Sequence, residues 1–139
     1  MHSFVVAKVI VVNEAGEMLA LRRSMDDVRR PGQWDFPGGH VDDGEDMRQA
    51  AHRETIEEAG LDLSNLRLVF AMSDMTPNGA GSWLVFVAHV LGLPDITLSH
   101  EHDEYKWMKP SEFLENATYE RQIKMISYAA ENNLLEKES

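Results

Sequence analysis

The feature that most limits what this chain can fold into is a helix closed at both ends by its own sequence. Asp46 is suited to an N-cap, Gln49 three residues later completes a capping box, and Gly60 supplies a C-terminal stop. A helix is therefore expected from Met47 to Ala59. At about 100° per residue, Met47, Ala50, Ala51, Glu54, Glu57 and Glu58 fall in one sector, with Arg48, Gln49, His52 and Ile56 elsewhere. The carboxylates thus continue the small-residue stripe that should face the protein, which predicts a cleft around them. Glutamates at i, i+3 and i+4 repel one another, by a few tenths of a kcal/mol per pair when exposed and by more when desolvated. Taken alone, Glu-x-x-Glu-Glu is an ordinary solvated charge run. Placed beside a cleft, oxygens from Glu54, Glu57 and Glu58 can converge on a hard cation.

The segments around this helix read as alternating strands and turns. Phe4 to Val12 and Met18 to Leu21 are apolar runs joined by Asn13-Glu14-Ala15-Gly16, the pattern of a hairpin. Ser24 to Gln33 reads as a loop. A short strand at Trp34 to Phe36 is stopped by Pro37-Gly38-Gly39. Leu66 to Met72 and Trp83 to Val90 are expected strands joined through Thr76 to Gly81, and Tyr105 to Met108 is a further one. Thr118 is placed to cap a last helix, in which Ile123, Ile126, Ala130 and Leu134 recur at helical spacing. One domain over residues 1–139 is expected, since the chain shows no internal repeat or low-complexity segment.

Composition narrows the chemistry. The chain has no cysteine, so a metal must be held by oxygen or imidazole, and oxygen favours Mg2+ or a similar hard cation. A formal charge of −11 argues against binding long nucleic acid, which needs many basic side chains against phosphates. A small phosphorylated ligand can be met locally, and Arg22, Arg23, Arg29 and Arg30 lie close together ahead of the helix. The longest apolar segment, Val5 to Val12, is short and contains Lys8, so neither a membrane span nor a signal peptide is expected and the cytoplasm is the anticipated location.

Reading from Gly39, the chain has Glu45 and then Arg53-Glu54-Thr55-Ile56-Glu57-Glu58-Ala59-Gly60-Leu61. This segment resembles the Nudix box, G-x5-E-x7-R-E-U-x-E-E-x-G-U with U a bulky apolar residue. Every fixed position is matched, with Thr55 a mild departure at the first U. Trp34-Asp35-Phe36-Pro37-Gly38 is similar to the family's usual lead-in. The resemblance implies an α/β fold, an α/β/α sandwich around a mixed β-sheet. It also implies a hydrolase that cuts a diphosphate bond in a nucleoside diphosphate derivative with Mg2+ or Mn2+.

By the same resemblance, the Gly38 carbonyl, Glu57 and Glu58 would bind metal, with Glu54 a further ligand or the general base. Arg53 with Glu45 would form an orienting salt bridge. A later acid is expected from the loop before Tyr105, where Glu101 is preferred over Glu104 and His100 and His102 are read as surface residues. Water would attack phosphorus in line while a glutamate removes its proton. The compact chain favours a small substrate, foremost a nucleoside triphosphate, including one with a damaged base. Arg23, Trp34 and Trp83 are candidates to bind it. Pro77 is placed like a proline that marks ADP-ribose pyrophosphatases, which leaves ADP-ribose or a nucleotide sugar as alternatives. A non-catalytic nucleotide or metal sensor is the alternative of another class, opposed by the intact box glutamates. A monomer or homodimer is expected.

Overall fold

The computed structural model describes residues 3–117 and 119–136. Its centre is β1 (Ser3–Val12), apolar on both faces as a strand covered on both sides must be. β1 runs parallel to β6 (Gly79–His89) along its whole length, from Ser3 opposite Ala80 to Val12 opposite His89. On its other edge it pairs antiparallel with β4 (Gly38–His40), Lys8 lying opposite Gly38. The expected hairpin closes at Val12 opposite Met18 and then opens. Asn13 holds that turn, its Oδ1 accepting the N–H groups of Ala15 and Glu17 at 3.0 Å each. β2 (Met18–Arg23) leaves β1 to pair with β3 (Trp34–Asp35) and β7 (His102–Met108). With β5 (Arg67–Thr76) antiparallel to β6, the result is one mixed seven-stranded sheet.

Alternation along the strands feeds two cores. Val6, Ile10 and Val12 join Trp83, Val85 and Val87 beneath α2 (Pro110–Asn116) and α3 (Glu120–Glu131), which contribute Phe113, Met125, Ile126 and Ala129. Ala7, Val9 and Val11 join Phe86 and Ala88 beneath α1 (Met47–Ala59), which contributes Ala50, Ala51 and Ala59. The architecture is the expected α/β/α sandwich. Among the described residues no helix is long and apolar enough to cross a membrane.

α1 has the bounds its caps predict. The Asp46 N–H donates to Gln49 Oε1 at 3.3 Å, and Gly60 adopts φ +70°, the left-handed conformation of a helix stop. Its buried face is Ala50, Ala51, Thr55, Glu58 and Ala59, rotated from the expected sector. Thr55 is buried because its hydroxyl bonds the Ala51 carbonyl at 2.6 Å, which leaves its methyl free to pack. Met47 and Glu57 are exposed instead.

Other expectations are corrected as well. Pro37-Gly38-Gly39 is no simple stop, since Gly38 and Gly39 belong to β4. The Thr76 to Gly81 linker contracts to a tight turn at Pro77-Asn78, where the Thr76 hydroxyl accepts the Asn78 N–H and donates to the Gly79 carbonyl. His102 is not a surface residue: it opens β7 and is buried against β2, whereas His100 is exposed. α2 was not anticipated, although Pro110 at its first turn is a start signal. In α3 the buried face is Gln122, Met125, Ile126 and Ala129, and Ile123 and Ala130 point outward. The cap at Thr118 lies outside the described residues.

Candidate active site

Two glycines bring the β4 backbone against the acidic helix. At Gly38, φ is +144° and a Cβ would lie 2.1 Å from the Ala7 carbonyl oxygen, so no side chain fits. The Gly38 N–H donates to Glu58 Oε1 at 2.7 Å. A Cβ on Gly39 would lie 2.6 Å from the Glu54 carboxylate. Gly39 therefore clears space for Glu54, while Gly38 lets β4 lie close on β1 with its N–H turned to Glu58. Gly39→Ala is expected to keep the fold, because the far end of Glu54 can move, and to lower kcat/KM by roughly tenfold, about 1.4 kcal/mol. Steady-state kinetics alongside a thermal melt would check this, and unchanged kinetics would contradict it.

Beneath the glycines, Lys8 Nζ donates to Asp35 Oδ2 at 2.8 Å and to the Phe36 carbonyl at 3.2 Å. Burial would raise the Asp35 carboxyl, but the Lys8 ammonium outweighs it and holds the acid below its ordinary range. Gln122 of α3 reaches under to the Trp34 carbonyl at 2.9 Å, tying the helical layer to this floor.

Arg53 organises the outer side of the helix. Its Nε donates to Glu45 Oε2 at 2.8 Å, and its other nitrogens reach Glu45 Oε1 at 3.0 Å, Glu54 Oε1 at 3.0 Å and Glu57 Oε2 at 3.3 Å. The orienting salt bridge expected between Arg53 and Glu45 is present. Hydrogen bonds from Arg53 and from the Asp42 N–H hold the Glu45 carboxyl down, at about 2. Glu57, one turn from Arg53, is drawn outward by it and remains largely exposed.

Glu58 is held far from its ordinary range. Burial pushes its carboxyl up to about 7, against the pull of Lys8 and the Gly38 N–H, and the charges of Glu54 and Glu101 push it further the same way. Glu54 is raised too, by burial first and, against the pull of Arg53, by Glu57 and Glu101. Glu101, in the turn before β7, thus acts on both helix carboxylates. Glu104 is directed elsewhere and pairs with Arg22 at 3.1 Å.

Two helix carboxylates, Glu54 and Glu58, whose proton affinity is raised by burial and by the nearby charge of Glu101, suit a hard cation. Among the described residues no three acidic or histidine side chains already form a cage. Mg2+ is usually held by one or two carboxylates and completed by water and substrate phosphate.

Beside Gly38 and Gly39 opens a cavity of about 540 Å³. Lys8, Arg23, Arg29, Arg30 and Arg121 line it against one acid, Asp27. Phe4, His40, Trp83 and Tyr119 supply aromatic surface, the Phe4 and His40 rings stacking 5.4 Å apart. Of the anticipated substrate residues, Arg23 and Trp83 line this cavity. Trp34 does not, and packs against the core instead. Arg22 is turned away to Asp103 and Glu104. Phe4, His40, Tyr119 and Arg121 escaped the sequence reading because they come from three distant segments with no local pattern.

Acids gathered against Gly38 and Gly39, the two glycines that also line a basic cavity, suit water attack on an acid anhydride, and the enzyme is a hydrolase of that class. The chain belongs to the NUDIX domain family, whose model matches residues 2–129. It is 38% identical over 114 residues to the asymmetrical bis(5'-nucleosyl)-tetraphosphatase of Caenorhabditis elegans, covering 77% of this chain and 74% of that protein. The crystal structure of a MutT protein from Methanosarcina mazei Go1 superposes with a TM-score of 0.80 at 27% identity, covering 94% of this chain and 95% of that one. A binary complex of C. elegans Ap4A hydrolase superposes at 0.79 with 28% identity, covering 94% and 98%.

Proposed function

We propose that the chain hydrolyses a nucleoside polyphosphate, with a dinucleoside tetraphosphate as the leading substrate. The observation that carries this is the cavity wall: five basic side chains against one acid, in a chain of net charge −11, beside the two glycines that meet the acidic helix. So much local positive charge suits a phosphate chain longer than two. The similarity to the C. elegans tetraphosphatase over most of both chains supports the same reading.

In this reading the Gly38 carbonyl, Glu57 and Glu58 hold a divalent cation, Mg2+ or Mn2+, which when bound neutralises phosphoryl oxygens and acidifies water. Arg53 keeps Glu54 and Glu57 in place through its hydrogen bonds. Glu54 and Glu101 are the carboxylates left to accept the proton of the attacking water. Phe4 and His40 present a flat face beside Gly39 on which a base can stack. Attack falls on phosphorus, so oxygen-18 from solvent is expected in a phosphate-containing product.

A nucleoside triphosphate is the second reading, since its phosphate chain is also longer than two and suits the same basic wall. Values of kcat/KM for a dinucleoside tetraphosphate, a panel of triphosphates and ADP-ribose would separate them. We expect the tetraphosphate to lead ADP-ribose by at least tenfold, about 1.4 kcal/mol in transition-state binding. A tenfold preference for ADP-ribose would overturn the polyphosphate assignment and leave diphosphate hydrolysis standing.

A further inference from the structure

Two of the cavity's arginines are mounted in an unusual way. Arg30, from the loop after β2, places its guanidinium 5.0 Å from the centre of the Tyr119 ring. Arg121, from the first turn of α3, lies 5.0 Å from the same ring and 4.3 Å from that of Trp83. Elements far apart in sequence thus bring two cations onto one phenol ring. Like charges gathered in this way repel, and cation–π contacts offset only part of that cost.

Neither guanidinium is neutralised by a close carboxylate. Arg30 has no ion-pair partner among the described residues, and Arg121 has only Asp74, at 3.9 Å and largely exposed. The loop that carries Arg30 is nevertheless built rather than slack. Asp27 accepts the N–H groups of both Arg29 and Arg30 at 2.8 Å and pairs with Arg23. The aromatic rings are already occupied: Arg121 covers Trp83, whose ring also meets Phe4 edge-on. A base could stack on Trp83 only by evicting the guanidinium, whereas an anion could bind with every contact kept.

We propose that Arg30 and Arg121, held on Tyr119, form a second anion seat in the cavity, one that grips phosphates beyond the pair at the acidic helix and so selects chains of three or more. This rests on the polyphosphate reading above and assigns residues to the selection. Planar guanidinium forks suit it, because each can give two parallel N–H bonds to a phosphate.

The test uses the full chain in EDTA, where the acidic helix can add no metal-mediated affinity, and measures binding of inorganic tripolyphosphate and pyrophosphate by calorimetry. Tripolyphosphate is expected to bind at least tenfold more tightly than pyrophosphate. Arg30→Gln and Arg121→Gln should each weaken tripolyphosphate at least tenfold, and pyrophosphate too, since without metal the seat is what holds it. Arg121→Lys, which keeps the charge without the fork, should recover part of the loss. Thermal melts identify any variant that fails to fold, and the other variant then decides. Unchanged tripolyphosphate binding in the folded variants, or no preference of the wild type for tripolyphosphate over pyrophosphate, would overturn the seat. Failure of the substrate reading would appear separately, as a preference for ADP-ribose in the kinetic panel while the variants still lose tripolyphosphate.

Discussion

Glu58→Gln is expected to lower kcat by ~10³-fold or more, about 4 kcal/mol of transition-state stabilisation. The amide keeps an oxygen to accept the Gly38 N–H, so the 2.7 Å bond that ties α1 to β4 can persist. What is lost is the charge. A neutral amide in the buried position holds a divalent cation more weakly than a carboxylate does and cannot balance its charge against phosphate. Glu57→Gln should act in the same direction, though Glu57 is exposed and shares its charge with Arg53. Single-turnover rates at saturating Mg2+, with circular dichroism to verify the fold, provide the measurement. Near wild-type turnover in Glu58→Gln would remove it from the set of metal ligands.

The same substitution should stabilise the metal-free protein, in a way that depends on pH. In the folded chain burial raises the Glu58 carboxyl to about 7, from an ordinary value of 4.5. A carboxyl with a raised folded pKa contributes stability that is fully present below the unfolded value and is lost as pH rises through the folded one. Wild-type protein in EDTA should therefore lose about 3 kcal/mol from this group between pH 4.5 and pH 8. Glu58→Gln does not titrate and escapes the loss. Its melting temperature should exceed that of wild type by on the order of 10 °C at pH 8, and the gap should close toward pH 5. Adding Mg2+ should raise the wild-type melting temperature and leave the variant nearly unchanged, because only a bound ligand stabilises. A gap independent of pH would mean that burial does not strain this carboxylate.

What could be read beforehand was what lies close in sequence. The limits of α1 were legible because Asp46, Gln49 and Gly60 act within one turn of the helix ends. Arg53 with Glu45 was legible because the box places them two turns apart on one helix and its entry loop. The direction of each glutamate was not. Glu57 is pulled outward by Arg53 and Glu58 inward by the Gly38 N–H, and these forces come from neighbours that periodicity does not see. The strand partners were hidden for the same reason. Met18 to Leu21 has the pattern of a hairpin arm, yet β2 belongs with β7 because β1 gives its edges to β6 and β4. His102 looked like a surface residue in an acidic run and is buried because β7 brings it opposite Arg23.

The pairing of β1 with β6 also bears on how the chain reaches this state. Ser3 meets Ala80 and Val12 meets His89, so the longest ladder joins residues that emerge from synthesis far apart in time. Closing that loop costs entropy before any contact rewards it, and parallel registers cannot be built by zipping from a turn. Until β6 arrives, β1 has an open edge, and the Gly38 strand that meets its other edge has half a foundation. The capped helix can flicker into shape early, since its signals are local. The acids it carries acquire their fixed neighbours only when the ladder closes, so chemical competence and global folding should arrive in one cooperative step.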